Sequence, residues 1–173
     1  MGTAQILVLM ASLIILGLLT LQFTGSSGRN AESNLYNQAL LTGTGIGQSL
    51  LEEIRGKAFD EAVIPPNDTI QNPTLTPVIS LGRDAGETTY DQFDDIDDYN
   101  NYSRTDSMSI FGNFFTTAKV YYIVNDIANM GTGVYSATPT FAKKIDVVVW
   151  NSFLRKDNTN ILDTIRLTGI KAY

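Results

Sequence analysis

The sequence predicts an α+β fold: a long N-terminal helix, hydrophobic first and amphipathic second, packed on a C-terminal antiparallel β-sheet. Three observations predict it. Between Met1 and Ser27 no side chain is charged, and Ala4 to Phe23 reads "AQILVLMASLIILGLLTLQF". Apolar residues then recur at helical spacing as far as "IPPND". The last third holds three segments rich in β-branched and aromatic residues at period two, the mark of half-buried strands. The expected organisation is a hydrophobic helix over 1–28, an amphipathic helix over 29–62, a connector with an acidic turn over 63–117 and the sheet over 118–173.

The first segment is long enough to cross a bilayer. Twenty helical residues span roughly 30 Å, the thickness of the hydrocarbon core. A cleaved signal peptide would carry a basic start, whereas this chain opens "MGTAQ". A soluble core helix would need a larger body around it than 173 residues supply. A retained hydrophobic helix is the expectation, with Ile6, Leu7, Leu9, Leu13, Ile15, Leu18, Leu19 and Phe23 as its apolar surface. Gly25 and Gly28 mark an expected weak point or kink. Beyond them Leu35, Ala39, Ile46, Leu50 and Ile54 draw one apolar face, and Glu53 precedes Lys57 in the favourable i,i+4 order. Gly43, Gly45 and Gly47 each cost about 1 kcal/mol against alanine in a helix interior. They imply either close packing or local melting.

Pro65 and Pro66 stop the helical pattern. The polar stretch from Ile64 to Arg104 reads as a connector, with "TPVISL" as a candidate short strand. Strands are expected at Ala118–Ile127, Lys143–Phe153 and Asp163–Tyr173; Val120, Tyr122 and Val124 can share one face, as can Ile145, Val147 and Val149. The joining loops, which hold "NMGTGVYSATP" and "RKDNTN", are too short for crossover helices, so the sheet should be antiparallel. Its cover should be the helix around Leu50, Leu51 and Ile54.

Composition narrows the function. The net charge of −6 disfavours a nucleic-acid surface. The chain has no cysteine and no histidine, which removes thiolate chemistry, the usual near-neutral base and the commonest metal ligand. No enzyme activity, cofactor or metal is expected. "FDDIDDYNNYSR" concentrates Asp94, Asp95, Asp97 and Asp98. The favoured reading is a structural turn whose aspartates accept backbone amides while Phe93, Ile96, Tyr99 and Tyr102 tuck onto the sheet. The alternatives are the same turn tied by a cation such as calcium, or a solvated acidic patch. "NDT" at Asn67 and "NYS" at Asn101 match the N-glycosylation acceptor pattern, a weak signal in a chain this rich in asparagine.

Four pieces together carry a family resemblance: the uncharged N-terminal helix, "QSLLEEIRGKAFDE" at Gln48–Glu61, the acidic "FDDIDDYNNYS" stretch, and the closing strands from "KVYYIV" and "KKIDVVV". In that order they resemble type IV pilin-like proteins, closest to minor pilins and pseudopilins. The resemblance covers most of the chain. It implies a structural subunit of a pilus-like filament at the bacterial cell surface or in the periplasm. Such a subunit sits in the inner membrane before assembly and partners copies of itself and related pilin-like subunits. Departures accompany the resemblance. Family members carry a glutamate four positions after the first mature residue. Counting from Met1, Gln5 stands there; if Gly2 closes a short leader, Leu7 does. The family's helix-kinking proline is absent, with "TGSSG" in its region. The alternative function is a lone membrane-anchored binding or sensor module of the cell envelope, and an anchored hydrolase is a weaker third.

Overall fold

Helix α1 runs Thr3–Gly56 and is followed by four strands, β1 Ser103–Met108, β2 Gly112–Tyr122, β3 Ala142–Arg155 and β4 Leu162–Ala172. These assignments come from a computed structural model, which describes residues 2–63, 74–124, 133–155 and 162–173. The strands pair in chain order as an antiparallel meander. The fold is therefore α+β, with α1 preceding and packing on the sheet. Two compact units meet between Gln38 and Ala39, and α1 contributes to both.

The first unit is helix alone. Residues 3–38 are exposed along nearly their whole length. Helix α1 is continuous through Gly25 and Gly28, the expected weak point, since neither residue removes a backbone donor as proline would. Leu35, expected on the apolar face, is exposed.

The second unit builds its core between α1 and the inner face of the sheet. Ala39, Gly43, Ile46, Gly47, Leu50, Leu51 and Ile54 are the buried helix residues, spaced by threes and fours. Opposite them the strand registers align in rows: Thr116–Val149–Ile165, Ala118–Val147–Leu167, Val120–Ile145–Gly169 and Tyr122–Lys143–Lys171. The glycines of the helix belong to this contact. A Cβ on Gly43 would stand 2.7 Å from Ile165 Cδ1, and one on Gly47 would stand 2.7 Å from Leu167 Cδ1 and 3.0 Å from Val149 Cγ2. On the sheet side, a Cβ on Gly169 would meet Leu51 Cδ1 at 2.9 Å. Close packing, not local melting, accounts for Gly43 and Gly47. Gly45 points elsewhere, with nothing within 4 Å.

Several expectations change. The connector contains β1 and the start of β2. Their hairpin turns through Ser109–Phe111 and closes at Gly112, whose φ of 66° suits glycine. "TPVISL" holds a 3₁₀ turn at Val78–Ser80 instead of a strand. The helix ends at Gly56, ahead of the prolines, because tertiary partners take over its last groups. Lys171 Nζ donates to the carbonyls of Arg55 and Lys57, a cation at a helix C-terminus. Ala58 then pairs with the acidic turn, its N–H donating to Asp94 O and its carbonyl accepting from Ile96. Glu53 and Lys57 do not pair. Glu53 accepts from Tyr99 Oη at 2.7 Å and faces Arg104, while Lys57 Nζ donates to Phe93 O. Val124 lies beyond β2, its N–H on Val134 O. Pro65, Pro66 and Asn67, the distal end of the first predicted strand and most of "RKDNTN" lie outside the described residues.

The contrast among the three helix glycines is testable. Gly45→Ala should stabilise the fragment 29–173 by up to about 1 kcal/mol through helix propensity. Gly47→Leu should destabilise it by about 1–3 kcal/mol or more through overpacking. Urea unfolding of the two variants beside the parent fragment checks both signs.

Candidate functional site

The N-terminal apolar surface is the first candidate. Ile6, Leu7, Leu9, Leu13, Ile15, Leu18, Leu19 and Phe23 are all exposed, Leu13 at 66% and Phe23 at 76%. Burying such side chains contributes about 1.5–3 kcal/mol each, so these eight together represent on the order of 10–20 kcal/mol of unrealised burial. The helix is apolar on every side, a pattern that belongs inside a membrane or a protein core. Three of its hydroxyls bond back to the helix: Ser12 Oγ donates to Leu9 O, Thr20 Oγ1 to Leu16 O and Thr24 Oγ1 to Thr20 O. Gln5 Oε1 accepts from the Gly2 N–H. Back-bonding of this kind lets a polar side chain sit in an apolar medium without an orphaned donor. This unit is a membrane-compatible helix by length, composition and hydrogen bonding.

The second candidate is the acidic turn. Its four aspartates have separate tasks. Asp98 Oδ2 accepts the N–H groups of Asp94 and Asp95, and Asp95 Oδ1 accepts those of Asp97 and Asp98. Carboxylates placed this way hold a 3₁₀ turn, Asp97–Tyr99. Phe93, Ile96 and Tyr99 are buried, and Phe93, Tyr99 and Tyr102 meet edge-on with centroids 5.0–5.9 Å apart. Asp97 turns inward to Lys143 at 2.6 Å. Asp94 alone is exposed. One carboxylate oxygen from each of Glu87, Asp94 and Asp98 lies within 4.8 Å of the others, so the oxygens grouped here differ from the four the sequence suggested for a cation. Asn101 takes a positive φ of 61° beside the turn, a conformation asparagine tolerates.

Lys143 is the centre that sequence reasoning missed. It is wholly buried on β3, and its three ammonium donors have three acceptors: Asp97 Oδ1 at 2.6 Å, Phe59 O at 2.8 Å and Asp60 Oδ2 at 2.9 Å. The rings of Phe59 and Tyr122 lie 4.7 and 5.0 Å from Nζ. Asp60 is equally buried and also accepts from Tyr122 Oη, Thr76 and Ala62. A signal was present: Lys143 precedes Ile145, Val147 and Val149 at period two, so the inward face of β3 includes a lysine. Such a lysine demands buried carboxylates.

The carboxylates respond in opposite directions. Burial would raise Asp60, but the hydrogen bond and charge of Lys143, with the amides of Thr76 and Ala62, bring it below the usual carboxylate value. Asp95 is pushed up to about 9, by burial first and then by the neighbouring charge of Asp97. Glu87 is pushed up to about 7 by desolvation and by its hydrogen bond with Asp98.

Comparison with family models, curated proteins and solved structures returns no match to this chain.

Two outcomes follow for the fragment 29–173. Lys143→Met leaves Asp60 and Asp97 buried without their cation, so it should cost about 3–5 kcal/mol, read by urea unfolding. Stability should also depend on pH. Asp95 and Glu87, with folded pKa values raised, stabilise the fold fully below their unfolded values and lose that contribution as pH climbs through 7 and toward 9. Asp60, with its value lowered, contributes above 3.8 and loses it as pH falls through the folded value. Melting temperature should peak in the mildly acidic range, and Asp95→Asn should flatten the alkaline decline.

Proposed function

We propose that the chain is a structural subunit of an extracytoplasmic pilus-like filament, assembled through its N-terminal helix. The observation that carries this reading is an uncharged helical segment, apolar on all sides and unburied within its own chain, in the same polypeptide as a folded α+β unit. Before assembly the segment resides in the inner membrane; afterwards it packs among copies of itself or related subunits. Both surroundings are apolar, so the transfer carries little hydrophobic cost, and close packing with hydrogen bonding drives association. The order of sequence features that resembles minor pilins and pseudopilins agrees with this reading. A structural role also needs no reactive group, and Ser12, Thr20 and Thr24 are engaged with their own backbone.

A charge inside the helix tests the assembly. Leu13→Lys would place an ammonium among apolar neighbours without a partner, at a cost of several kcal/mol. Filaments should be lost from cells or reconstituted material viewed by electron microscopy. Circular dichroism of the fragment 29–173 should show an intact fold, because its buried helix residues begin at Ala39. Normal filaments from the variant would refute the core-bundle arrangement and favour a lone membrane-anchored module.

A further inference from the structure

We propose that Lys143 and Asp97 form an intramolecular isopeptide bond, with Asp60 and Asp95 as the proton-transfer partners. The parts of such a reaction stand together in one buried cluster. Lys143 Nζ lies 2.6 Å from Asp97 Oδ1, which places the amine within roughly 3–3.5 Å of the carboxyl carbon, the near-attack range. Lys143, Asp60, Asp95 and Asp97 are all buried. The Phe59 and Tyr122 rings cover the amine.

The two flanking carboxyls differ in the way acid–base chemistry requires. Asp60 is ionised and lies 2.9 Å from Nζ, so among the flanking groups it is the one placed to take the amine's proton. Asp95 Oδ1 accepts the Asp97 backbone N–H at 2.8 Å, which sets its carboxyl beside that of Asp97, and burial keeps it protonated through neutral pH, so it is placed to protonate the departing oxygen. The neutral amine attacks Asp97 Cγ as Asp95 protonates the carboxylate oxygen; Asp60 then passes its proton to that same oxygen and Asp95 takes the second proton from the nitrogen, so a C–N bond forms, a C–O bond breaks and water leaves. In sum, one ammonium and one carboxylate become one amide and one water. Asp60 and Asp95 end as they began, and no oxidant or other reactant enters. Fixed geometry lowers the barrier that free amines and acids meet in water, with effective molarities of about 10⁵–10⁸ M for well-aligned groups, and loss of the water from a buried site favours the amide. The product would close a chain separation of 46 residues in a protein without cysteine.

The test is mass analysis of the purified full-length chain after proteolysis under denaturing conditions. The expected result is a branched peptide joining the Lys143 and Asp97 segments, lighter by one water than the two linear peptides. Asp97→Ala should abolish the branch, and Asp95→Asn should leave a mixture of linked and unlinked chain. If Lys143 is recovered only in a linear peptide and reacts fully with an amine-specific reagent after denaturation, the proposal is overturned and the contact is an ion pair alone. Because the decisive readout is the unsubstituted protein, a variant that fails to fold does not blunt the test. The outcome is independent of whether the chain forms filaments.

Discussion

A lysine ammonium buried beneath a β-sheet sets the constraint that the rest of the C-terminal unit answers. Removing one charge from water costs several kcal/mol unless its hydrogen bonds and countercharge are replaced. Lys143 obtains that replacement from three places in the chain: the backbone after α1 at Phe59, the carboxylate of Asp60 and the turn residue Asp97. Each of these is held in turn. Asp60 ties in Thr76 and Tyr122, Asp97 belongs to the turn that Asp95 and Asp98 organise, and Ala58 bridges to Asp95. One inward lysine thereby connects the end of the helix, the connector and two strands.

The two units satisfy opposite demands. In the second, glycines at Gly43, Gly47 and Gly169 bring helix and sheet so close that side chains fill the remaining space. The gain from burial there outweighs the helix propensity the glycines forfeit. In the first, the apolar side chains of the helix are exposed among the described residues. A soluble monomer does not leave a surface of that size to water. The apolar helix and the helix–sheet architecture are consistent with a self-assembling or membrane-associated subunit.

The acidic turn shows how the same residue type takes different work from position alone. Asp95 and Asp98 face backbone amides, Asp97 faces a buried cation, and Asp94 faces outward beside Glu87. The aspartate pattern foretold a turn, as did the apolar residues Phe93, Ile96 and Tyr99 set between the acids. It held no information about which carboxylate would meet Lys143, since the two lie 46 positions apart.

What the sequence determined by itself was whatever depends on local periodicity and composition. The uncharged helix, the apolar face at Ala39, Ile46, Leu50 and Ile54, the central strands and their antiparallel sense follow from spacing and loop length alone. The tertiary structure decided what depends on partners distant in sequence. It ended the helix at Gly56, because Lys171 and the Ala58–Asp95 bridge outcompete another helical turn. It redirected Glu53 to Tyr99 and Arg104. It drew β1 from polar residues, "SRTDSM", that pair at the sheet edge with little burial. It gave Lys143 an interior position by offering two carboxylates there. The physical reason is common to all four: hydrogen bonds and ion pairs are chosen by whichever groups meet in three dimensions, and chain spacing alone does not record those meetings.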